Sequence, residues 1–245
     1  MFHELWVGTN NNVNVKIKVY GYLQRLMIKN LLNKFKFALV TTSILKYQNR
    51  LNFKKNYLLP IFGNVICDSK INKEVDKKAN SFMVVVFGTI TNDLTIFSNQ
   101  LIWLSKLALL RGLQMELIFL GNNGNNLIKA QKIASEIIES DKVTVVGFAD
   151  DDTIASYFRA ADYGLSRADY DYYGKSGSTI SMLEFGLPVL LKGERPSDII
   201  STQINNHLPQ LYFVKDVFPI MKTRFQEQKG TVNIAKKFLE LLKIN

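Results

Sequence analysis

From residue 82 onward, short apolar runs alternate with segments of helical periodicity, and no other feature constrains the fold as much. Phe82-Met-Val-Val-Val-Phe-Gly88 is continuously apolar, rich in β-branched residues, and ends at glycine. A strand that is apolar on both sides needs cover on both sides, which a parallel sheet with helices above and below supplies. Runs at residues 115–120, 143–146, 163–166, 188–191 and 211–214 predict five more strands. Residues 94–113, 127–138 and 151–161 predict helices, the third capped by Asp151 or Asp152. This alternation predicts an α/β class with a doubly wound parallel sheet. Such sheets bind ligands beyond the carboxyl ends of their strands, where the strand order reverses. The loops after Gly88, Gly121, Gly147 and Arg167 fall at strand ends.

One of those loops opens a short helix in Tyr172-Tyr-Gly-Lys-Ser-Gly-Ser-Thr-Ile-Ser-Met-Leu-Glu-Phe-Gly-Leu-Pro-Val-Leu190. Free N–H groups at a helix start attract phosphate. Gly177 allows close backbone approach. Ser176, Ser178 and Thr179 offer hydroxyls, and Lys175 offers a point charge. Read alone, the same residues are a Ser/Thr helix cap beside a surface lysine; the strand-end context favours phosphate.

The first third of the chain differs. Residues 1–80 hold 14 Lys/Arg against 4 Asp/Glu, which accounts for the whole net charge of +10. Residues 19–35 predict a basic amphipathic helix, 37–42 a strand, 44–51 a short helix and 57–62 an extended segment. Residues 63–80 form a polar, Lys-rich stretch. The excess charge is a solvated basic face, or it draws residues 16–55 to anionic lipid or a phosphorylated acceptor. No nucleic-acid motif accompanies it, so nucleic acid is not an expected partner. Cys67 is alone, which forbids an internal disulfide and leaves a small packing residue as its plain role. With only His3 and His207 besides, no metal-ligand spacing exists and no metal is expected. No signal-peptide pattern or membrane-length apolar stretch occurs, so the expectation is a cytoplasmic protein, peripheral to the membrane where the basic face engages it.

Several landmarks in order resemble the GT-B glycosyltransferases, especially the retaining family-four type. They are Val145-Val-Gly-Phe148, Ala160-Ala-Asp-Tyr-Gly-Leu-Ser166 and Gly186-Leu-Pro-Val189. Phe37-Ala-Leu-Val-Thr-Thr-Ser43 through Leu58-Leu-Pro-Ile-Phe-Gly63 resembles the end of the N-terminal domain leading to the linker. The resemblance implies two Rossmann-like domains. Residues 1–63 would be a partial acceptor-side domain and 64–81 a linker. Residues 82–228 would bind the nucleotide sugar, and 229–245 would be a final helix returning toward the N-terminal part. It implies transfer from a nucleotide diphosphate sugar to a glycan or lipid-linked acceptor, with no cofactor. Gly88, Thr89, Lys175, Ser176, Gly177, Ser178 and Thr179 would hold the diphosphate. Gly147 and Phe148 would meet the base, although Phe148 reads equally as a core ring. His3 and Glu4 resemble the active-site His segment and, with Lys175, are the candidate catalytic residues.

The chain departs from the family at two places. Aligned on Gly186, the two family glutamates fall at Tyr173 and Ser181. Glu184 lies three residues after Ser181 and is either a substitute grip on the ribose or an exposed helix residue. After the first sheet strand the family carries Arg and Lys, whereas this chain has Gly88-Thr-Ile-Thr-Asn92. The first half of the N-terminal domain, with its acceptor loop, is also unmatched, so the expectation is that a partner chain supplies it, that the protein is a truncated remnant, or that the sequence is a fragment of a longer chain. The alternatives are an inactive nucleotide-sugar-binding remnant or partner-dependent subunit, and a related GT-B enzyme such as a peptidoglycan-type N-acetylglucosaminyl transferase or a nucleotide-sugar epimerase.

Overall fold

The computed structural model describes residues 5–7, 14–34, 39–51, 53, 55–67, 73–195, 210–218 and 224–243. The chain divides into two compact units, residues 62–231 and residues 1–61 with 232–245.

In the unit that contains both termini, α1 (Val15–Lys34) precedes β1 (Val40–Thr42), α2 (Leu45–Leu51) and β2 (Asn56–Leu58). The two strands pair in parallel, Val40 opposite Asn56 and Thr42 opposite Leu58. Asn56 and Gln48 lock the crossover reciprocally: each side-chain amide donates to the other's backbone carbonyl at 2.8 Å.

The larger unit is built on β3 (Ser81–Phe87), α3 (Leu94–Leu110), β4 (Gln114–Leu120), α4 (Leu127–Ile137), β5 (Val143–Gly147), α5 (Asp151–Ala160), β6 (Tyr163–Leu165), α6 (Gly177–Glu184), β7 (Val189–Leu190) and β8 (Leu211–Tyr212). A final helix, α7 (Gly230–Lys243), starts at its end. The six strands are all parallel, in the order β5-β4-β3-β6-β7-β8. The chain winds outward from β3 to β5, returns, and winds outward from β6 to β8. This is the doubly wound, Rossmann-like order, and its switch point lies between β3 and β6.

β3 is central and apolar on both sides for that reason. Phe82, Val84 and Val86 enter the core with Phe97, Leu101 and Leu104 of α3 and Ala130 and Ala134 of α4. The neighbouring residues point the other way, where Phe87 meets Phe158 of α5 edge-on. Buried Asp162 accepts the Met83 N–H at 2.8 Å and pairs with Lys77 at 2.6 Å, fixing the entry to β6.

Helix ends follow local chemistry. α3 stops at Leu110, short of the expected residue 113, because Gly112 adopts φ +67°. The N–H of Leu113 then reaches the Ala108 carbonyl and that of Gly112 the Leu109 carbonyl, a glycine-terminated cap. Gly186 ends α6 in the same way, through Leu187 to Met182 and Gly186 to Leu183. The cap of α5 is Asp150, not Asp151 or Asp152: its extended backbone lets its carboxylate accept the Thr153 N–H at 2.7 Å. Asp151 instead accepts the Ile66 N–H.

Candidate functional site

Three chain segments meet at the switch point. The first follows β3. Gly88 takes φ +81°, and a Cβ there would lie 3.3 Å from the Ser178 Cβ, so this loop abuts the start of α6. Buried Asn123 holds the loop in place by donating to the Gly88 carbonyl at 3.0 Å, while Ile90 donates to the Asn123 carbonyl. Asn126 donates to the Thr91 carbonyl beside it. The Asn-rich loop after β4 therefore braces the loop after β3.

The second segment follows β6. Ser166 is buried and its carbonyl accepts from Gln100 at 3.0 Å. Arg167 comes next, exposed, and lines a narrow cleft with Thr89, Ile90, Thr91 and Ser178. The sequence reading placed a loop here but gave Arg167 no role. Its importance depends on β6 lying beside β3, and nothing local in the sequence states that neighbourhood. Arg167 supplies a cation at the place where the loop after β3 has none.

The third segment is the start of α6. Ser176 is the N-cap and accepts the Thr179 N–H. Counting one proton per hydroxyl fixes the direction of the rest. The Thr179 hydroxyl donates to Ser176 Oγ at 2.8 Å, so Ser166 must donate to Thr179 at 2.7 Å. Ser176, already accepting twice, turns its own proton toward Ser178 Oγ at 3.3 Å. The chain of hydroxyls runs from Ser166 to Ser178 and leaves the Ser178 O–H to donate onward. The N–H groups of Gly177 and Ser178 belong to the first helical turn, which has no intrahelical acceptor. Positive potential from the helix gathers at the same point.

The expected diphosphate residues thus divide. Gly88, Thr89, Gly177 and Ser178 come together. Ser176 and Thr179 stand behind them as cap and buried brace. Lys175 precedes the cap, its ammonium 5.3 Å from the centre of the Tyr172 ring.

Glu184 closes α6 at the far end. It is buried, which excludes the exposed-residue alternative. Its Oε1 accepts the Gly63 N–H at 3.0 Å. Burial pushes its carboxyl above the ordinary value, and the Gly63 hydrogen bond opposes that shift in part. Tyr173 and Ser181, at the family glutamate positions, are both buried. Ser181 donates to the Asn64 side chain at 2.9 Å and accepts the Asn64 N–H at 2.9 Å.

Phe148, just after the edge strand β5, is 84% exposed, so its alternative as a core ring is overturned. Gly147 before it takes φ +70°, and its carbonyl accepts the Gly121 N–H at 2.7 Å. Phe148 follows β5 at the edge of the sheet, and the described residues leave its ring uncovered. His3 and Glu4 lie outside the described residues. Among the described residues no cluster of three His, Cys, Asp or Glu side chains could hold a metal ion, and no helix is long and apolar enough to cross a membrane.

No protein-family model matches the chain, and no curated protein gives a significant match. Solved structures are similar. One is the Streptococcus pneumoniae complex of accessory secretory proteins 1, 2 and 3, at 12% identity and TM-score 0.46 over 90% of this chain and 47% of that one. A mutant of S. aureus TarM in complex with fondaparinux, alpha-GlcNAc-glycerol and UDP is similar at 15% identity and TM-score 0.47, over 99% and 43%. S. aureus MnaA with UDP is similar at 12% identity and TM-score 0.45, over 77% and 50%. The chain spans about half the length of these structures. Its own strand order and switch-point loops define a doubly wound, Rossmann-like unit of the kind found in GT-B proteins. The chain resembles the GT-B glycosyltransferases.

Proposed function

We propose that this chain binds a nucleotide diphosphate sugar and acts as a glycosyltransferase toward a glycan or lipid-linked acceptor. The observation that carries this reading is the meeting of the Gly88–Thr89 loop, Arg167 and the Gly177–Ser178 helix start at the switch point. Two backbone N–H groups, a directed hydroxyl and a guanidinium form a donor set suited to a diphosphate. During transfer the bond between the sugar's anomeric carbon and the diphosphate oxygen breaks, and the electron pair leaves with the diphosphate. An acceptor hydroxyl forms the new bond and loses its proton. Negative charge grows on the diphosphate as the bond opens, so fixed donors there lower the barrier. Phe148 would stack on the base, its ring left uncovered at the end of β5. Retaining stereochemistry follows from the family resemblance alone.

A second reading has a specific observation in its favour. Tyr173 and Ser181 stand where the resemblance places the acidic pair and are buried in packing, so the ribose contact that the resemblance implies has no counterpart at Ser181. A protein that binds a nucleotide sugar without transferring it fits that pattern. Thermal melting with UDP, GDP and their sugars tests the shared part, since a ligand of the folded state raises the midpoint. A shift with one nucleotide supports the site. Donor consumption with and without added glycan or lipid-linked acceptors then separates transferase from binder. No shift with any nucleotide overturns both readings.

A further inference from the structure

The start of α6 is flanked on two sides. On one, Ser178 meets the Gly88 loop. On the other, Gly177 meets Asn64, whose carboxamide carbon, oxygen and nitrogen lie 3.5, 3.5 and 3.8 Å from where a Gly177 Cβ would stand. Asn64 is exposed, yet the backbone that carries it is held. Gly63 before it donates to Glu184 Oε1 at 3.0 Å, and Val65 after it is buried. The Asn64 N–H itself donates to Ser181 Oγ at 2.9 Å. A side chain on so fixed a backbone loses little freedom when it takes up a ligand.

The carboxamide is oriented as well. Ser181 Oγ lies 2.9 Å from Asn64 Oδ1 and 2.8 Å from the Gly177 carbonyl, so its one proton is shared between two acceptors. With Oδ1 turned to Ser181, Nδ2 faces away from it, and its two N–H groups have no acceptor among the described residues. The neighbouring cleft carries an open polar group too. Gln100 is fully buried in its wall, and its Oε1 has no partner among the described residues. Unpaired polar groups on both borders of the helix start mark a place whose hydrogen bonds an occupant completes.

We propose that Asn64 is a further residue of the nucleotide-sugar site, its Nδ2 donating to a diphosphate oxygen beside the Gly177 N–H, with Ser181 as its positioning residue. This inference rests on the diphosphate reading of the switch point. An ionised diphosphate only accepts hydrogen bonds, so the outward N–H groups of the amide suit it and the amide oxygen would not. Ser181 thereby has a use at the position where the resemblance places an acidic residue. Its hydroxyl can donate to Oδ1; a carboxylate there could only accept, and would turn the amide round.

The test is calorimetric titration of the full chain with UDP and with pyrophosphate. Asn64→Ala is expected to weaken both ligands roughly tenfold, the worth of one hydrogen bond to a charged group. Asn64→Asp keeps the oxygen that Ser181 holds and replaces the outward amide with an anion. Its loss is expected to be larger, and to shrink as salt is raised. Asn64 is exposed, so melting without ligand is expected to stay unchanged in both variants. Ser181→Ala is expected to weaken binding in the parent chain and to add nothing in Asn64→Ala, since it acts through that amide alone. A parent chain that binds both ligands, with both Asn64 variants binding them equally well, overturns the role of Asn64 and leaves the diphosphate reading standing. Variants that lose affinity only as far as they lose melting stability overturn it too, since Asn64 is then a brace of α6. Additive losses in the double variant remove Ser181 as the positioning residue. A parent chain that binds neither ligand overturns the diphosphate reading, and this inference with it.

Discussion

Glu184 Oε1 accepts the backbone N–H of Gly63 at 3.0 Å, joining residues 121 apart in sequence. The approach is close enough to exclude a side chain at residue 63. A Cβ on Gly63 would come within 2.7 Å of the Ser181 Cα and of its hydroxyl. Backbone in mid-helix cannot yield as a side chain can. Gly63→Ala is therefore expected to cost about 1–3 kcal/mol, read as a lower midpoint in urea. An unchanged midpoint would mean that residues 63 and 64 do not dock on α6.

The same contact sets a pH dependence. Burial raises the Glu184 carboxyl above its ordinary value of 4.5. The folded state then holds the proton more tightly than the unfolded chain does. Its contribution to stability is full below 4.5 and is lost as pH rises through the raised folded value. In Glu184→Gln the Gly63 N–H still finds an amide oxygen, but nothing titrates. The difference in stability between the two proteins, measured across that window, is expected to move in favour of the Gln variant as pH rises. A constant difference would show that the carboxyl is not perturbed.

The hydroxyl chain behind α6 separates stability from binding. Thr179 is fully buried and bonded to both Ser166 and Ser176. Thr179→Val leaves those two hydroxyls short of a partner and is expected to cost about 1–3 kcal/mol, whereas Thr179→Ser is nearly silent. Ser178→Ala should leave melting unchanged and weaken UDP binding. Equal effects of Thr179→Val and Ser178→Ala on melting would refute the assigned direction of the chain.

How much of this was written in the sequence depends on whether its cause is local. β3 was legible because a strand covered on both faces is apolar from Phe82 to Phe87, and β4 because its second half, Leu117 to Leu120, is apolar and buried. The end of α6 was legible from Gly186 and the following Pro188. Asp150 was missed as the cap of α5 because three adjacent Asp residues are chemically equal until the backbone of one is extended. The burial of Glu184 was hidden because its cover, Gly63, comes from another part of the chain. Phe148 read equally well as a core ring, because exposure of an apolar residue follows from the position of β5 at the sheet edge. Arg167 was passed over for a similar reason: only the strand order sets the end of β6 beside Gly88.

That strand order leads to a comparison of two cations. Arg167 lines the cleft with Thr89 and Ser178, while the Lys175 ammonium lies over the Tyr172 ring. A guanidinium on phosphate contributes about 1.5–3 kcal/mol as a charged hydrogen bond. Arg167→Ala is expected to weaken UDP binding by roughly 10- to 100-fold on that basis, and Arg167→Lys to recover it only in part, since the fork of donors is lost. Lys175→Ala is expected to weaken binding without affecting folding. Calorimetric titration with UDP checks both, and unchanged affinity in both variants would remove the phosphate assignment.

Phe148 offers the cleanest division between base and phosphate. Its ring is exposed, so Phe148→Ala is expected to change stability by no more than about 0.5 kcal/mol. If the ring stacks on the base, its removal costs about 1–3 kcal/mol of nucleotide affinity. Pyrophosphate, which has no base, should bind the variant and the parent chain equally. Titrating both proteins with UDP and with pyrophosphate gives four affinities and one contrast. A loss confined to UDP places the base at the end of β5. A loss shared by both ligands, or by neither, removes Phe148 from the site.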